Sequence, residues 1–261
     1  MSPAGNVRPQ RTSTDRLASL KPGDAHVMAL QRPLISRLMA YAVLLAAAFA
    51  VPTAAHAQIG SDRYASIVVE ASNGRVISSA NADEPRHPAS LTKMMTLYMV
   101  FEALRDRRIT LHQSVPISPH AASMVPTKLG LRPGMNITVE ECILGMVTLS
   151  ANDAAAALGE LLGGDERRFA QMMTLRARAL GMSSSLFRNA SGLPDPAMVT
   201  TARDLSVLAR HLVRDFPRQY SYFSVPSFRF QGRIIRTHDY LLDRYPGTDG
   251  IKTGYTDASG F

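Results

Sequence analysis

The sequence contains no tryptophan and one cysteine, so no disulfide can form within the 261-residue chain. Cys142 lies in the apolar pattern Val139, Ile143, Leu144, Met146 and Val147, where a small buried thiol is expected. No His-x-x-x-His or Cys-x-x-Cys spacing occurs, so nothing supports a metal site, and no cofactor is expected. Alternation of basic with aromatic residues is also missing. The net charge of +8 is partly a property of the first 57 residues, which hold six Arg and Lys against two Asp. Residues 58–261 keep 23 basic and 19 acidic residues, or +4. That balance is too mild for a nucleic-acid surface but would favour an anionic polymer such as cell wall.

A membrane-spanning run is lacking as well. The longest apolar stretch, residues 38–51, falls short of the roughly 20 residues a bilayer requires. It follows Arg32 and Arg37 and precedes Ala55-His56-Ala57, a small-x-small site of the kind signal peptidase cuts. Residues 1–57 are therefore read as a leader and secretory signal peptide, with maturation after Ala57 and export to the periplasm or cell-wall space. Residues 1–27 show no periodic pattern, so translation is expected to start at Met28.

Lysine is the last scarcity. Between residues 58 and 261 there are only Lys93, Lys128 and Lys252, beside 20 arginines. Arginine serves for surface charge, and lysine survives where a cation able to lose its proton matters, because guanidinium cannot act as a base in proteins.

What is present is enough for a full core, with 46% of residues apolar and 19% charged. Residues 64–70 and 75–79 flank Asn73-Gly74, a hairpin signal. Helical periodicity covers roughly 90–105, 139–149, 152–162, 165–180 and 202–214, the last opening with a capping-box pattern at Thr201-Ala202-Arg203-Asp204. Strand character returns at 224–230, 233–238 and 250–255. Strands, then helices, then strands give the α+β class: an antiparallel sheet flanked by helices with an inserted helical subdomain. Met94, Met95, Met99, Met146, Met172 and Met173 are read as core filling.

Chemistry concentrates at Pro88-Ala89-Ser90-Leu91-Thr92-Lys93, the start of the first long helix. Ser90 and Lys93 are three residues apart, on one helical face and within hydrogen-bond reach. A serine hydroxyl needs a neighbouring base, and a desolvated lysine can supply it. The first helical turn also favours negative charge on a reacting oxygen. His87, three residues before Ser90, is read as a solvated loop histidine. Ser150-Ala151-Asn152 falls between two helices, and Lys252-Thr253-Gly254 lies on the final strand, where a charge and a hydroxyl can meet a carboxylate and glycine allows close backbone approach.

Ser90-x-x-Lys93, Ser150-x-Asn152 and Lys252-Thr253-Gly254, in that order, resemble the serine penicillin-recognising superfamily with its β-lactamase/transpeptidase-like fold. The strings HPASLTKMMT, TLSANDAAAALGE, FRNASGLPDP, TTARDLSVLARHLVRDFP and GTDGIKTGYTDASGF resemble D-alanyl-D-alanine carboxypeptidases, the low-molecular-weight penicillin-binding proteins, from Tyr64 to Phe261. The resemblance implies that Ser90 attacks the peptide bond between two D-alanines, Lys93 accepts its proton, and Ser150 passes a proton to the leaving group. It further implies that Asn152 holds the substrate amide, Lys252 supports the proton path, Thr253 binds the terminal carboxylate, and the N–H groups of Ser90 and Tyr255 hold the oxyanion beside Gly254. The implied partners are peptidoglycan stem peptides as substrate and β-lactams as covalent inhibitors.

Alternatives are a D,D-endopeptidase or β-lactamase of the same superfamily, or a non-catalytic penicillin- or wall-binding module. A class A β-lactamase would need a water-activating glutamate between the second and third motifs. Only Glu160 and Glu166 follow Asn152, and neither stands in a Glu-x-x-Leu-Asn string. The strands and helix that the resemblance implies after Lys252-Thr253-Gly254 do not occur before Phe261, nor do the next strand's arginine and a C-terminal membrane-binding region. The expectation is a C-terminally truncated catalytic domain, 58–261, with an incomplete sheet and a weakly supported third motif.

Overall fold

The computed structural model describes residues 62–260; the leader and the expected signal segment, and the cleavage site, lie outside the described residues. The architecture is α+β. Three antiparallel ladders of two strands each accompany a set of packed helices. β1 (Ser66–Val69) pairs with β2 (Val76–Ala80), and the chain turns between them with Gly74 at φ +79°. β3 (Ser114–Pro116) pairs with β4 (Asn136–Thr138), and β5 (Ser227–Phe230) with β6 (Arg233–Arg236).

The helix that follows the first motif, α1 (Thr92–Arg105), is apolar on nearly every face, and 11 of its residues are buried. A helix of that composition belongs at the centre of a core. Around it lie α3 (Val139–Thr148), α4 (Asn152–Gly163), α5 (Glu166–Ala179) and α6 (Ala202–Asp215); α2 (Pro119–Ser123) and α7 (Leu241–Arg244) are short. Five of the six methionines read as core filling are buried in the main apolar cluster, and Met172 packs against it. Cys142 is buried there too, and burial pushes its thiol up, away from reactivity.

Helix starts follow their sequence signals. Thr138 and Glu141 form a reciprocal capping box on α3. On α6 only half of the expected box forms: Thr201 Oγ1 accepts from the Asp204 N–H. The Asp204 carboxylate turns instead to the Ser184 N–H and the Ser185 hydroxyl.

Three expectations need correction. Ser90 is not in an α-helix but in a 3-10 turn, Ala89–Leu91, that leads into α1. Ser224, expected to open a strand, instead ends a second 3-10 turn, Gln219–Ser224, so β5 begins at Ser227. Residues 250–255 form no strand, because no described segment runs alongside them to complete a ladder. Among the described residues no helix is long and apolar enough to cross a membrane, and no group of three His, Cys, Asp or Glu could hold a metal ion.

Candidate active site

The first motif is held in an uncommon backbone geometry. Ala89, immediately before the candidate nucleophile, has φ +47°, and Ser150 has φ +63°. Non-glycine residues hold such conformations only where the surroundings enforce them, and they gather at functional sites. The enforcing contact at Ala89 is Gly192, itself at φ +86°. A Cβ there would stand 1.8 Å from the Ala89 carbonyl oxygen, so only glycine fits.

Lys93 is the centre of the arrangement. The whole residue is buried, with 0% of its surface exposed. Its Nζ donates to Ser90 Oγ at 3.2 Å, to Asn152 Oδ1 at 2.7 Å and to the Ser191 carbonyl at 2.6 Å. Burial pushes the amine well below the ordinary lysine range, and the charge of Lys252 pushes the same way. Asp153 and Glu166 oppose them. A neutral Lys93 keeps two N–H bonds, to Asn152 and Ser191, and turns its lone pair toward the Ser90 hydroxyl.

Asn152 opens α4, and both ends of its amide are engaged. Its oxygen accepts from Lys93, and its nitrogen donates to the Val125 carbonyl at 2.9 Å, which leaves one N–H for a ligand. Ser150 is 6% exposed, and its hydroxyl has no hydrogen-bond partner among the described residues. A buried orphan hydroxyl is costly unless a bound molecule completes it.

The third motif faces the first without forming a strand. A Cβ on Gly254 would come within 3.1 Å of the Ser90 nitrogen and 3.2 Å of the Leu91 nitrogen, so the glycine backs directly onto the first turn's amides. Lys252 is half-buried and donates to the Thr253 carbonyl at 2.8 Å. Burial lowers its amine to about 8, with Asp239 opposing. Ser90, Ser150, Asn152, Thr253, Gly254 and Tyr255 line one cleft of about 790 Å³, together with His238, Tyr240 and the 192–194 turn. Burial and the charge of Lys252 lower the His238 imidazole as well.

Three groups escaped sequence reasoning, and so did the role of a fourth, Glu166. The Ser191 carbonyl grips Lys93, yet a backbone acceptor leaves no residue-type signature. His238 enters the cleft from the segment after β6. Asp153 is fully buried and accepts the N–H groups of Leu129, Gly130 and Leu131 at 2.9–3.0 Å, tying the 125–131 loop to the start of α4. Glu166 accepts the Ala190 N–H at 2.9 Å and so braces the segment that carries Ser191. The acid at the head of the apolar run Ala154-Ala155-Ala156-Ala157-Leu158 was the available signal for Asp153.

His87 does not approach Ser90 as a base. Its Nδ1 lies 2.9 Å from the Met198 carbonyl, and the residue is half-buried rather than solvated. Neither glutamate that follows Asn152 lines the cleft. Glu160 accepts from the Ser118 hydroxyl, and Glu166 is engaged as above.

A family model described as D-alanyl-D-alanine carboxypeptidase, peptidase S11, matches residues 50–261. The D-alanyl-D-alanine carboxypeptidase DacA of Escherichia coli is 34% identical over 211 residues, covering 78% of this chain and 52% of its own length. DacF of Bacillus subtilis is 32% identical over 204 residues, 76% of this chain and 52% of the relative. The chain thus spans about half the length of these curated relatives. Among solved structures, the D-alanyl-D-alanine carboxypeptidase DacD of Francisella tularensis superposes with a TM-score of 0.72 at 28% identity, covering 75% of this chain and 60% of that one. Penicillin-binding protein D2 of Listeria monocytogenes, solved in its ampicillin-bound form, gives a TM-score of 0.66 at 32% identity, covering 74% and 79%.

Proposed function

The chain belongs to the D-alanyl-D-alanine carboxypeptidase family, and from that premise we propose that it releases the terminal D-alanine of peptidoglycan stem pentapeptides through an acyl-enzyme on Ser90. The observation that carries this reading is the buried amine of Lys93, pushed toward its neutral form, 3.2 Å from the Ser90 hydroxyl. Lys93 takes the Ser90 proton as the oxygen attacks the carbonyl between the two D-alanines. The backbone N–H groups of Ser90 and Tyr255 hold the oxyanion, each such donor contributing about 3 kcal/mol. Ser150, its hydroxyl unpartnered among the described residues, hands a proton to the departing amine. Thr253 and Lys252 take the terminal carboxylate, and the remaining Asn152 N–H holds the substrate amide. Water then frees the tetrapeptide. β-Lactams acylate the same serine.

Free D-alanine released from a synthetic pentapeptide is the test. Its appearance separates this enzyme from a penicillin-binding module that lacks turnover, and its absence in a folded, penicillin-reactive protein contradicts the carboxypeptidase reading.

We also place the mature domain, 58–261, in the periplasm or cell-wall space after cleavage near Ala57. A C-terminal region beyond Phe261 would give peripheral membrane attachment. N-terminal sequencing of the exported protein tests the cleavage site: a first residue other than Gln58 contradicts it.

The two lysines predict a bell-shaped pH dependence. Lys93 must be neutral to act as base, so acylation rises with pH through its lowered pKa. Lys252 must stay charged to hold the carboxylate, so the rate falls as pH passes about 8, where its amine loses the proton. In Lys252→Arg the guanidinium cannot deprotonate, so the falling limb should vanish while the rising limb remains. Penicillin acylation rates from about pH 5 to about pH 10 report both limbs.

One observation favours a second reading, endopeptidase action on cross-links. A groove of about 820 Å³ meets the cleft at His238 and Tyr240 and is lined in part by Lys128, Arg233 and Arg236. It offers a leaving group larger than one D-alanine both room and positive charge. Digestion of purified cross-linked muropeptide dimers decides the point: intact dimers after pentapeptide is consumed leave carboxypeptidase action alone.

A further inference from the structure

Glu166 is a half-buried carboxylate that the proposed chemistry does not use. Its side chain is 10% exposed, and it lies outside the cleft. Both oxygens are engaged. Oε1 accepts the Ala190 N–H at 2.9 Å, and Oε2 lies 2.6 Å from His120 Nε2. The segment it grips is fixed from other sides as well. Thr96 Oγ1 donates to the Ala190 carbonyl at 2.7 Å, and Asn189 Oδ1 accepts from the Ser191 and Gly192 N–H groups at 3.2 and 2.7 Å. The next carbonyl along, that of Ser191, receives the 2.6 Å hydrogen bond from Lys93. One chain of contacts therefore runs from Glu166 through Ala190 and Ser191 to the amine beside Ser90.

We propose that Glu166 is a positioning residue for acylation: it pins the Ala190–Ser191 backbone that aims the Lys93 amine at Ser90, and its negative charge stabilises the ammonium formed when Ser90 gives up its proton. The inference rests on the acyl-transfer reading above. In that step the Ser90 O–H bond breaks as the Oγ–carbon bond forms, and the proton joins the Lys93 lone pair. The carbonyl π electrons move to the oxyanion, and they return as the carbon–nitrogen bond breaks and the leaving nitrogen gains a proton through Ser150. The two N–H bonds of Lys93 to Asn152 and Ser191 persist throughout and keep the lone pair directed at Oγ.

The electrostatics agree with the geometry. Burial and Lys252 disfavour the Lys93 ammonium, while Asp153 and Glu166 favour it. Asp153 cannot be probed alone, because its carboxylate also holds three loop amides. Glu166 can be. Glutamine in its place keeps an oxygen for the Ala190 N–H and removes the charge.

The test uses the full chain with 13C-labelled lysine, which carries only four lysines, so the Lys93 signal can be assigned by comparison with Lys93→Met. In Glu166→Gln both the Lys93 titration and the rising limb of penicillin acylation should move to lower pH, by about half a unit or more. The melting temperature should stay near that of the parent. Glu166→Ala, which also loses the bond to Ala190, should acylate ten-fold or more slowly at every pH. An unmoved Lys93 titration in Glu166→Gln overturns the proposal, whatever Glu166→Ala does. A parent protein that takes up no penicillin contradicts the acyl-transfer reading, and the NMR titration still decides whether Glu166 governs Lys93.

Discussion

Replacing Lys93 by methionine should lower the rate of penicillin acylation by about a thousand-fold while leaving the protein folded. A positioned general base contributes roughly 10²–10⁴ to such a step, equivalent to about 3–5 kcal/mol of barrier. Neither His87, which is bonded to the Met198 carbonyl, nor Glu166, which sits outside the cleft, is placed to take the role. Stability should change little, because two effects oppose each other. Methionine leaves Asn152 Oδ1 and the Ser191 carbonyl without their donor, costing about 1–3 kcal/mol for each unpaired group. It also removes a buried amine, whose burial is unfavourable in its own right. Stopped-flow acylation rates beside a melting curve separate the two readouts. Acylation within ten-fold of the parent would show that Lys93 is not the base.

Asp153→Ala should be the most destabilising substitution near the site, by about 3 kcal/mol or more. Alanine would leave the N–H groups of Leu129, Gly130 and Leu131 facing an apolar methyl, and the Ala154 N–H would lose its side-chain acceptor too. Each buried donor stranded in this way costs about 1–3 kcal/mol, and bonds to an ionised acceptor lie at the upper end. In a domain of about 200 residues that loss lowers the melting temperature by roughly 6–12 °C. Asn152 would suffer as well, since its N–H bond to Val125 depends on the same loop. The expected result is a lower melting temperature with slowed acylation even well below it. A melting temperature within about 2 °C of the parent would contradict the role assigned to this carboxylate.

The sequence was informative wherever side-chain type and spacing carry the physics. The helical periods marked α3 to α6 to within a residue or two of their ends, because each buries an apolar stripe. Ser90 and Lys93 were legible from a three-residue interval and from the rarity of lysine. What stayed hidden depends on backbone and on tertiary partners. Ala89 at φ +47° and the Ser191 carbonyl have no residue-type signature. Glu166 enters the sequence reading only as a water-activating glutamate that lacks its Glu-x-x-Leu-Asn string. Its bond to the Ala190 N–H has no sequence signal, since an acid in a first helical turn is common for reasons unrelated to its partners. Residues 250–255 carry strand character, but local character supplies no neighbour, and a ladder needs one. The 3-10 turn at Ala89–Leu91 was hidden behind the strong helical signal of the residues after it.

Mass mapping of the penicillin adduct tests the central claim most directly. After brief exposure of the full chain to a labelled penicillin, the account predicts one adduct per molecule, located on the peptide that contains Ser90 and carried by that serine. An adduct on Ser150 or any other residue, or no adduct on a folded protein, would contradict it.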